Sequence, residues 1–446
     1  MRGLALDRKF WFLLILLFGA GILFRVGAVY FNLHFLHGRW LYRNAAQSLA
    51  ERGDFKIATY DASEIPHIYS VREKGGEFLE HNPLWSILGA GIVLVSPLNG
   101  FEATQALSFL AGIAVLILIY RAGLELGGQG VALLSLGLAV FSYLLIDFSG
   151  NGSFYIFQSA LYLLFLLVWW REKSKKDTLL LGVIAGLALL LSHQAVALIF
   201  AYVAHLIFVK RPGFKLIFAS LVLFLLPAVL IYLPWGLRNY FFIGNFFPPA
   251  DMYYVWDKLG FARRINGDII TYAPTLATYF ELAKKVFTNW LPYNLYFINR
   301  QLFFLAPLVY IFALFLASEV LFARWFRKLA WESFDKLLPL FLIFGFHILI
   351  SAAWPVTKFR YFVPMLPLVF LAGSYWITDF ISNRRLKLLA AGSSFALLIL
   401  LSIFTYFSTP SRTYFYGGTV TTDNFGSKGE LEYIRNYESS GRDPAL

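Results

Sequence analysis

The chain has 446 residues, of which 59% are hydrophobic and only 14% charged, and its mean hydropathy is +0.65. Those values exclude an ordinary soluble enzyme and describe a protein that lives in lipid. The net charge of +12 does not point to nucleic acid, because the lysines and arginines fall in short clusters between apolar runs. With no cysteine, thiol, disulfide and iron–sulfur chemistry are excluded as well.

The first apolar run, 9–30, follows Arg2, Arg8 and Lys9, which hold its start in the cytoplasm. It is read as an uncleaved helix, since Arg25 follows its apolar core and no small-x-small cleavage site is present. A polar loop, 37–83, comes next, and a loop of that length is where water-dependent chemistry is placed. Within it Leu41, Tyr42, Ala45, Ala46, Leu49 and Ala50 recur at helical spacing, which predicts an amphipathic surface helix stopping at Gly53.

The run 84–98, between Pro83 and Pro97, is too short to span and is expected to be a re-entrant or interfacial juxtamembrane helix. Spans are then expected at 103–122, 130–147, 154–170, 178–193, 195–209, 214–235, 302–323, 337–354, 361–380 and 387–407. Ser192 to Gln194 breaks the long run 178–209 into two of these. The basic residues at Arg121, Arg171, Lys176, Lys210, Arg324, Lys328, Arg384 and Lys387 fall on one side only if 84–98 does not cross. The fold class expected is therefore all-α: a polytopic membrane protein of about eleven transmembrane helices, with surface helices in its first and second external loops. The transmembrane domain is 1–407, the second external loop 238–300 with a surface helix over 276–289, and 408–446 a short extracytoplasmic tail. An integral protein of a bacterial inner membrane is expected, N-terminus cytoplasmic and C-terminus outside.

This topology gathers polar residues on the outer side: the first loop, Asp147 with Asn151, His193 with Gln194, Trp235 with Arg238 and Asn239, and Lys358 with Arg360. Ionisable groups near the membrane core line cavities or reach for the interface. Arg238, Lys358 and Arg360 are cations on the side the positive-inside rule leaves poor in them, which favours an anionic ligand such as a lipid phosphate. Each taken alone also fits an interfacial anchor. Asn151 to Ser153 fits a glycosylation sequon, but at a helix end chance accounts for it. His205 and His347, inside apolar runs, are read as hydrogen-bonded core histidines, and Trp40, Trp256 and Trp290 as the loop aromatics able to stack on a sugar.

Four stretches carry a resemblance. Pro234-Trp235-x-x-Arg238-Asn239, followed by Gly244, resembles the PW-x-x-RN-x-x-x-x-G signature of the polytopic GT-C glycosyltransferases, in the branch of protein O-mannosyltransferases and the lipid A aminoarabinose transferase. The run from Arg360 to Pro367 resembles that family's R-Y-x-x-P-x-x-P. Asn82 to Trp85 stands where a P-P-L-Y-like start to a juxtamembrane helix is expected, and Leu191 to Gln194 where L-T-R-P is frequent. The order of elements agrees over nearly the whole chain.

The resemblance implies transfer of a sugar from a polyprenyl-phosphate carrier to an acceptor at the outer face, by an inverting displacement. A carboxylate takes the acceptor's proton while cations hold the leaving phosphate. The sequence departs from the pattern at the base. Four residues ahead of Tyr42 the family has Asp, often Asp-Glu, where this chain has Gly38 and Arg39. A second acidic position falls in Ser149 to Phe154, which holds none, although Asp147 is close, and His193 replaces an arginine.

Two readings follow. An active enzyme has moved its base to Asp61, Glu64 or Glu80; alternatively a non-catalytic relative binds lipid-linked sugar or scaffolds a partner enzyme. The phosphate-binding set expected is Arg238, Lys358, Arg360 and His193, and the acceptor- or sugar-binding set His81, Asp147, Asn239 and Trp235. Asp61 and Glu64, three apart, are two metal ligands without a third, so no cofactor is expected. The partners expected are membrane lipid, a polyprenyl-phosphate-linked sugar and an acceptor of unknown kind, with no nucleic acid. A transporter would carry internal repeats or mid-membrane charges, which this sequence does not show.

Overall fold

The computed structural model describes residues 8–31, 39–55, 82–210, 213–243, 246, 262–265, 268–271, 276–321, 331–353 and 359–407. It is a helical bundle of an integral membrane protein. Helix α1 is Arg8–Phe31, α2 Arg39–Arg52, α3 Leu84–Val95, α4 Gly100–Phe141, α5 Tyr143–Gly150 and α6 Tyr155–Trp170. Then come α7 Lys175–Leu189, a 3-10 turn His193–Ala195, α8 Val196–His205 and α9 Phe214–Ile243. The second half holds α10 Leu276–Lys285, α11 Leu291–Leu305, α12 Pro307–Leu321, α13 Trp331–Ala353, a 3-10 segment Phe359–Met365, α14 Leu366–Tyr375 and α15 Arg384–Phe407.

Among the described residues, six helices are long and apolar enough to cross a membrane, or seven if α5 and α6, bent by 115°, form one broken span. The expected eleven also counted shorter apolar helices such as His193–Val209 and Pro307–Leu321. One departure from an all-helical chain is an antiparallel ribbon, Ala262–Ile265 with Asp268–Thr271, paired Ala262 to Thr271 and Ile265 to Asp268.

Several boundaries follow the sequence signals. Helix α2 ends where Gly53 takes a φ of 72°, the chain breaks at Ser192 to Gln194, and α10 with its π-turn to Trp290 covers the expected surface helix. Two differ. The runs 103–122 and 130–147 are joined in α4 by a kink at Gly127 and Gly128 rather than a loop. Helix α9 does not stop at Trp235 but continues to Ile243 through Pro227 and Pro234. A proline removes one N–H, and in a membrane helix neighbouring groups make up for it, so the helix continues rather than ends.

Packing fixes how the elements meet. Helix α7 lies closely on α9, because Gly182 and Gly186 present no Cβ to the backbone at Phe224 and Ala228. Helix α3 runs beside α2: Ser86 Oγ donates to the Tyr42 carbonyl (3.2 Å), and beyond α3 the Gly100 N–H donates to Gln47 Oε1 (2.6 Å). The chain thus enters and leaves α3 alongside the same surface helix. Asn99 and Glu102 form a capping box at the start of α4, satisfying donors that a helix terminus leaves open.

One cation is wholly internal. Arg25 of α1 is fully buried, donating to the carbonyls of Gly21 (3.0 Å) and Ala139 (3.5 Å). Ala139 lies in the last turn of α4, where carbonyls lack helical partners and a positive charge is favoured.

Candidate functional site

The extension of α9 decides the character of the site. Because the helix runs on, Tyr232, Trp235, Arg238 and Asn239 follow at spacings of three and four and share one face. Tyr232, Trp235 and Asn239 are buried and Arg238 partly so, while Pro234, Leu237, Tyr240 and Phe241 point outward. The Arg238 guanidinium sits 4.6 Å from the Trp235 ring and 5.5 Å from that of Phe55, which itself meets Trp235 edge-on at 5.4 Å. Phe55 belongs to the segment that follows α2. His193 Nε2 lies 3.3 Å from the Tyr232 hydroxyl, so the turn after α7 meets the same face. Beside them Asn239 is fully buried, and neither its Oδ1 nor its Nδ2 finds a hydrogen-bond partner among the described residues. An unsatisfied buried amide is costly, and at a site it is an open offer of one donor and one acceptor.

A second cation stands at the start of the 3-10 segment. The Arg360 guanidinium lies 5.8 Å from the Tyr155 ring and 5.9 Å from that of Tyr361, with Tyr42 a further electrostatic neighbour. Its Nε has no acceptor, and it forms no ion pair with a carboxylate among the described residues. Tyr42 meets Phe154 at 5.5 Å, and Phe154 stacks on Tyr155 at 4.2 Å. Helix α2 therefore carries Tyr42 to Arg360 and, through the residues after it, Phe55 to Arg238.

The frame around these groups is built from helix ends. Asn82 Nδ2 donates to the Leu189 carbonyl (2.7 Å) and the Leu84 N–H to that of Leu190 (3.0 Å), taking up acceptors that the end of α7 leaves open. Trp85 Nε1 donates to the Gly152 carbonyl (2.9 Å). The Asn82 to Trp85 motif is thus a clasp joining α3, α7 and the α5–α6 bend. At that bend Asn151 Nδ2 approaches Asp147 Oδ2 at 3.5 Å while its Oδ1 caps the Ser153 N–H.

Of the residues singled out in the sequence, the structure brings Arg238, Trp235, Asn239 and His193 to one face and sets Arg360 against tyrosines from two other elements. Asp147 stays with Asn151. Asp61, Glu64, Glu80, His81 and Lys358 lie outside the described residues. Of the loop tryptophans, Trp256 lies outside them too, and Trp290 ends the π-turn after α10. The rings that face the cations are others: Tyr42, Phe55, Tyr155, Trp235 and Tyr361. Asp54, next to Phe55, is engaged by the Ser48 hydroxyl and by Arg52 Nε at 3.5 Å, closing the end of α2.

The opposite end of the bundle is basic. Arg171 pairs with Glu125, Lys336 Nζ donates to the Glu125 carbonyl (2.7 Å), and Trp170 Nε1 donates to the Lys336 carbonyl (2.7 Å). Among the described residues no group of three or more His, Asp or Glu is placed to hold a metal ion.

No protein-family model matches this chain, and no curated protein matches it. Solved structures do. ArnT from Cupriavidus metallidurans bound to undecaprenyl phosphate superposes with a TM-score of 0.56 at 12% identity, over 96% of this chain and 70% of that one. The archaeal oligosaccharyltransferase AglB from Archaeoglobus fulgidus, in complex with an inhibitory peptide and a dolichol-phosphate, gives 0.54 at 14% identity, over 98% and 58%. The chain has the GT-C fold. A further structure of the Archaeoglobus enzyme, in complex with Zn and sulfate, is matched over 87% of this chain at a TM-score of 0.52 and 15% identity. The chain spans only about half the length of that structure, 52%.

Proposed function

We propose that this protein transfers a sugar from a polyprenyl-phosphate donor to a lipid, glycan or protein acceptor on the outer face of the membrane. The observation that carries the reading is Arg360, a cation held by aromatic rings and unpaired with any carboxylate among the described residues. A guanidinium over rings is less hydrated than an ammonium, and the donors of its planar fork beyond the one that meets the Tyr361 hydroxyl can serve phosphate oxygens. Arg238, over Trp235 and Phe55, and His193 complete the phosphate side together with Lys358; Asn239, Trp235, Asp147 and His81 serve the sugar and acceptor. The basic end formed by Arg171 and Lys336 is cytoplasmic under the positive-inside rule, which puts the arginine site outside.

In the reaction the acceptor hydroxyl oxygen attacks the anomeric carbon, and the bond from that carbon to the phosphate oxygen breaks. The phosphate leaves with the electron pair, and the arginines hold the charge that develops on it. The acceptor's proton passes to a carboxylate, for which Asp61, Glu64 and Glu80 are the candidates. Two of the three similar structures named above hold undecaprenyl phosphate or dolichol-phosphate, the carrier class that leaves in this reaction.

The test is sugar transfer in membranes expressing the wild type, Asp61→Asn, Glu64→Gln, Glu80→Gln and Arg360→Ala, given labelled polyprenyl-phosphate sugars and membrane extract as acceptor. Loss in one carboxylate variant and in Arg360→Ala, at equal expression, is expected. Transfer surviving every carboxylate change would remove the relocated base. A wild type that binds the lipid but transfers nothing would leave a GT-C fold kept for binding.

A further inference from the structure

The 3-10 segment that presents Arg360 is short of backbone donors. In a 3-10 turn the Tyr361 carbonyl accepts from the N–H three residues on, which is Pro364 and has none. The Val363 carbonyl loses its α-helical donor in the same way at Pro367. Side chains from other helices reach both carbonyls. His347 of α13 places Nε2 2.9 Å from the Tyr361 carbonyl, and Ser159 Oγ of α6 donates to that of Val363 (3.1 Å).

His347 is fully buried, and its other nitrogen, Nδ1, lies 2.8 Å from the Tyr162 hydroxyl of α6. A carbonyl only accepts, so Nε2 carries the proton; in the neutral ring Nδ1 then accepts from Tyr162. The Tyr162 oxygen in turn receives the Gln158 amide (3.3 Å), and the Gln194 carbonyl lies 3.3 Å from it. The imidazole is thus a rigid bridge from α6 through α13 to the turn that begins at Arg360.

We infer that His347 is a positioning residue for Arg360: it supplies the donor that Pro364 withholds from the Tyr361 carbonyl and so fixes the turn that aims the guanidinium. This rests on the reading of Arg360 as the phosphate ligand. Glutamine can place an amide nitrogen and an oxygen about where the two imidazole nitrogens stand, leucine fills the space with neither, and Tyr162→Phe removes the hydroxyl while leaving the bond to Tyr361.

The experiment measures undecaprenyl phosphate affinity and hydrogen exchange across 359–366 in purified wild type, His347→Gln, His347→Leu and Tyr162→Phe. Affinity is expected to fall about tenfold or more in His347→Leu and to stay within about threefold in the other two. Exchange across the turn rises in His347→Leu alone. Wild-type affinity in His347→Leu, or a loss in His347→Gln as large as in His347→Leu, overturns the proposal. If the wild type binds no polyprenyl phosphate, the donor reading has failed. The exchange pattern then decides the positioning role alone: a rise confined to His347→Leu upholds it, and an unchanged turn overturns it.

Discussion

Arg25 and Arg360 are two arginines set among helices of one bundle, and their surroundings differ in kind. Arg25 gives its terminal nitrogens to backbone carbonyls, one of them at a helix end that calls for a positive charge. Arg360 is set among tyrosine rings and donates to the Tyr361 hydroxyl, and no carboxylate among the described residues takes its charge. The difference teaches how to tell a structural cation from one prepared for a ligand. Burial does not decide it; the identity of the acceptor does.

Substitution can break that contrast. Arg360→Ala is expected to lower undecaprenyl phosphate affinity about 100-fold, the worth of one to two charge-assisted hydrogen bonds, with little change in thermal stability. A binding titration beside a melting curve checks it, and equal losses in both would place Arg360 with Arg25. Arg25→Ala should do the reverse, costing about 2–4 kcal/mol of stability while affinity stays within about threefold. Arg25→Met should recover most of that loss, since a buried charge is often replaced by an apolar chain without penalty.

Gly182→Val forces a side chain against the Phe224 carbonyl and should cost about 1–3 kcal/mol by parting α7 from α9, read as a lower melting temperature. Because α9 carries Arg238, affinity should fall with it. The smallest effect expected is that of Arg238→Lys. It keeps the charge but loses the flat contact with Trp235, for a drop of about threefold in affinity.

Much of this architecture was legible because it is local. Apolar length marked a helical membrane protein but not its number of spans, the period of Tyr42, Ala45, Ala46 and Leu49 marked α2, and Ser192 to Gln194 marked the break before α8. What escaped was set by tertiary contact. The apolar run ends at Trp235, yet α9 continues to Ile243, and only then do Trp235, Arg238 and Asn239 share a face. The partners of Arg360 come from α2, α6 and its own turn, separated by up to some three hundred residues in sequence, and no spacing rule joins them. His347 was read as a bonded core histidine, and it is one, but its role at a proline-interrupted turn needed the geometry. Asp61, Glu64 and Glu80 lie outside the described residues, whereas Asp54 is taken up at the end of α2.

The bond from Arg25 to Ala139 also bears on how the protein is made. The two residues are 114 positions apart, so the first helix enters the bilayer carrying a charge whose second acceptor, beyond the Gly21 carbonyl, has not yet been synthesised. At roughly 5–20 residues per second the ribosome needs on the order of ten seconds to deliver it. Through that interval the guanidinium has only the Gly21 carbonyl of its own helix, and the bond that ties α1 to α4 closes when the end of α4 arrives. The assembly of this fold therefore has a waiting step written into its first helix.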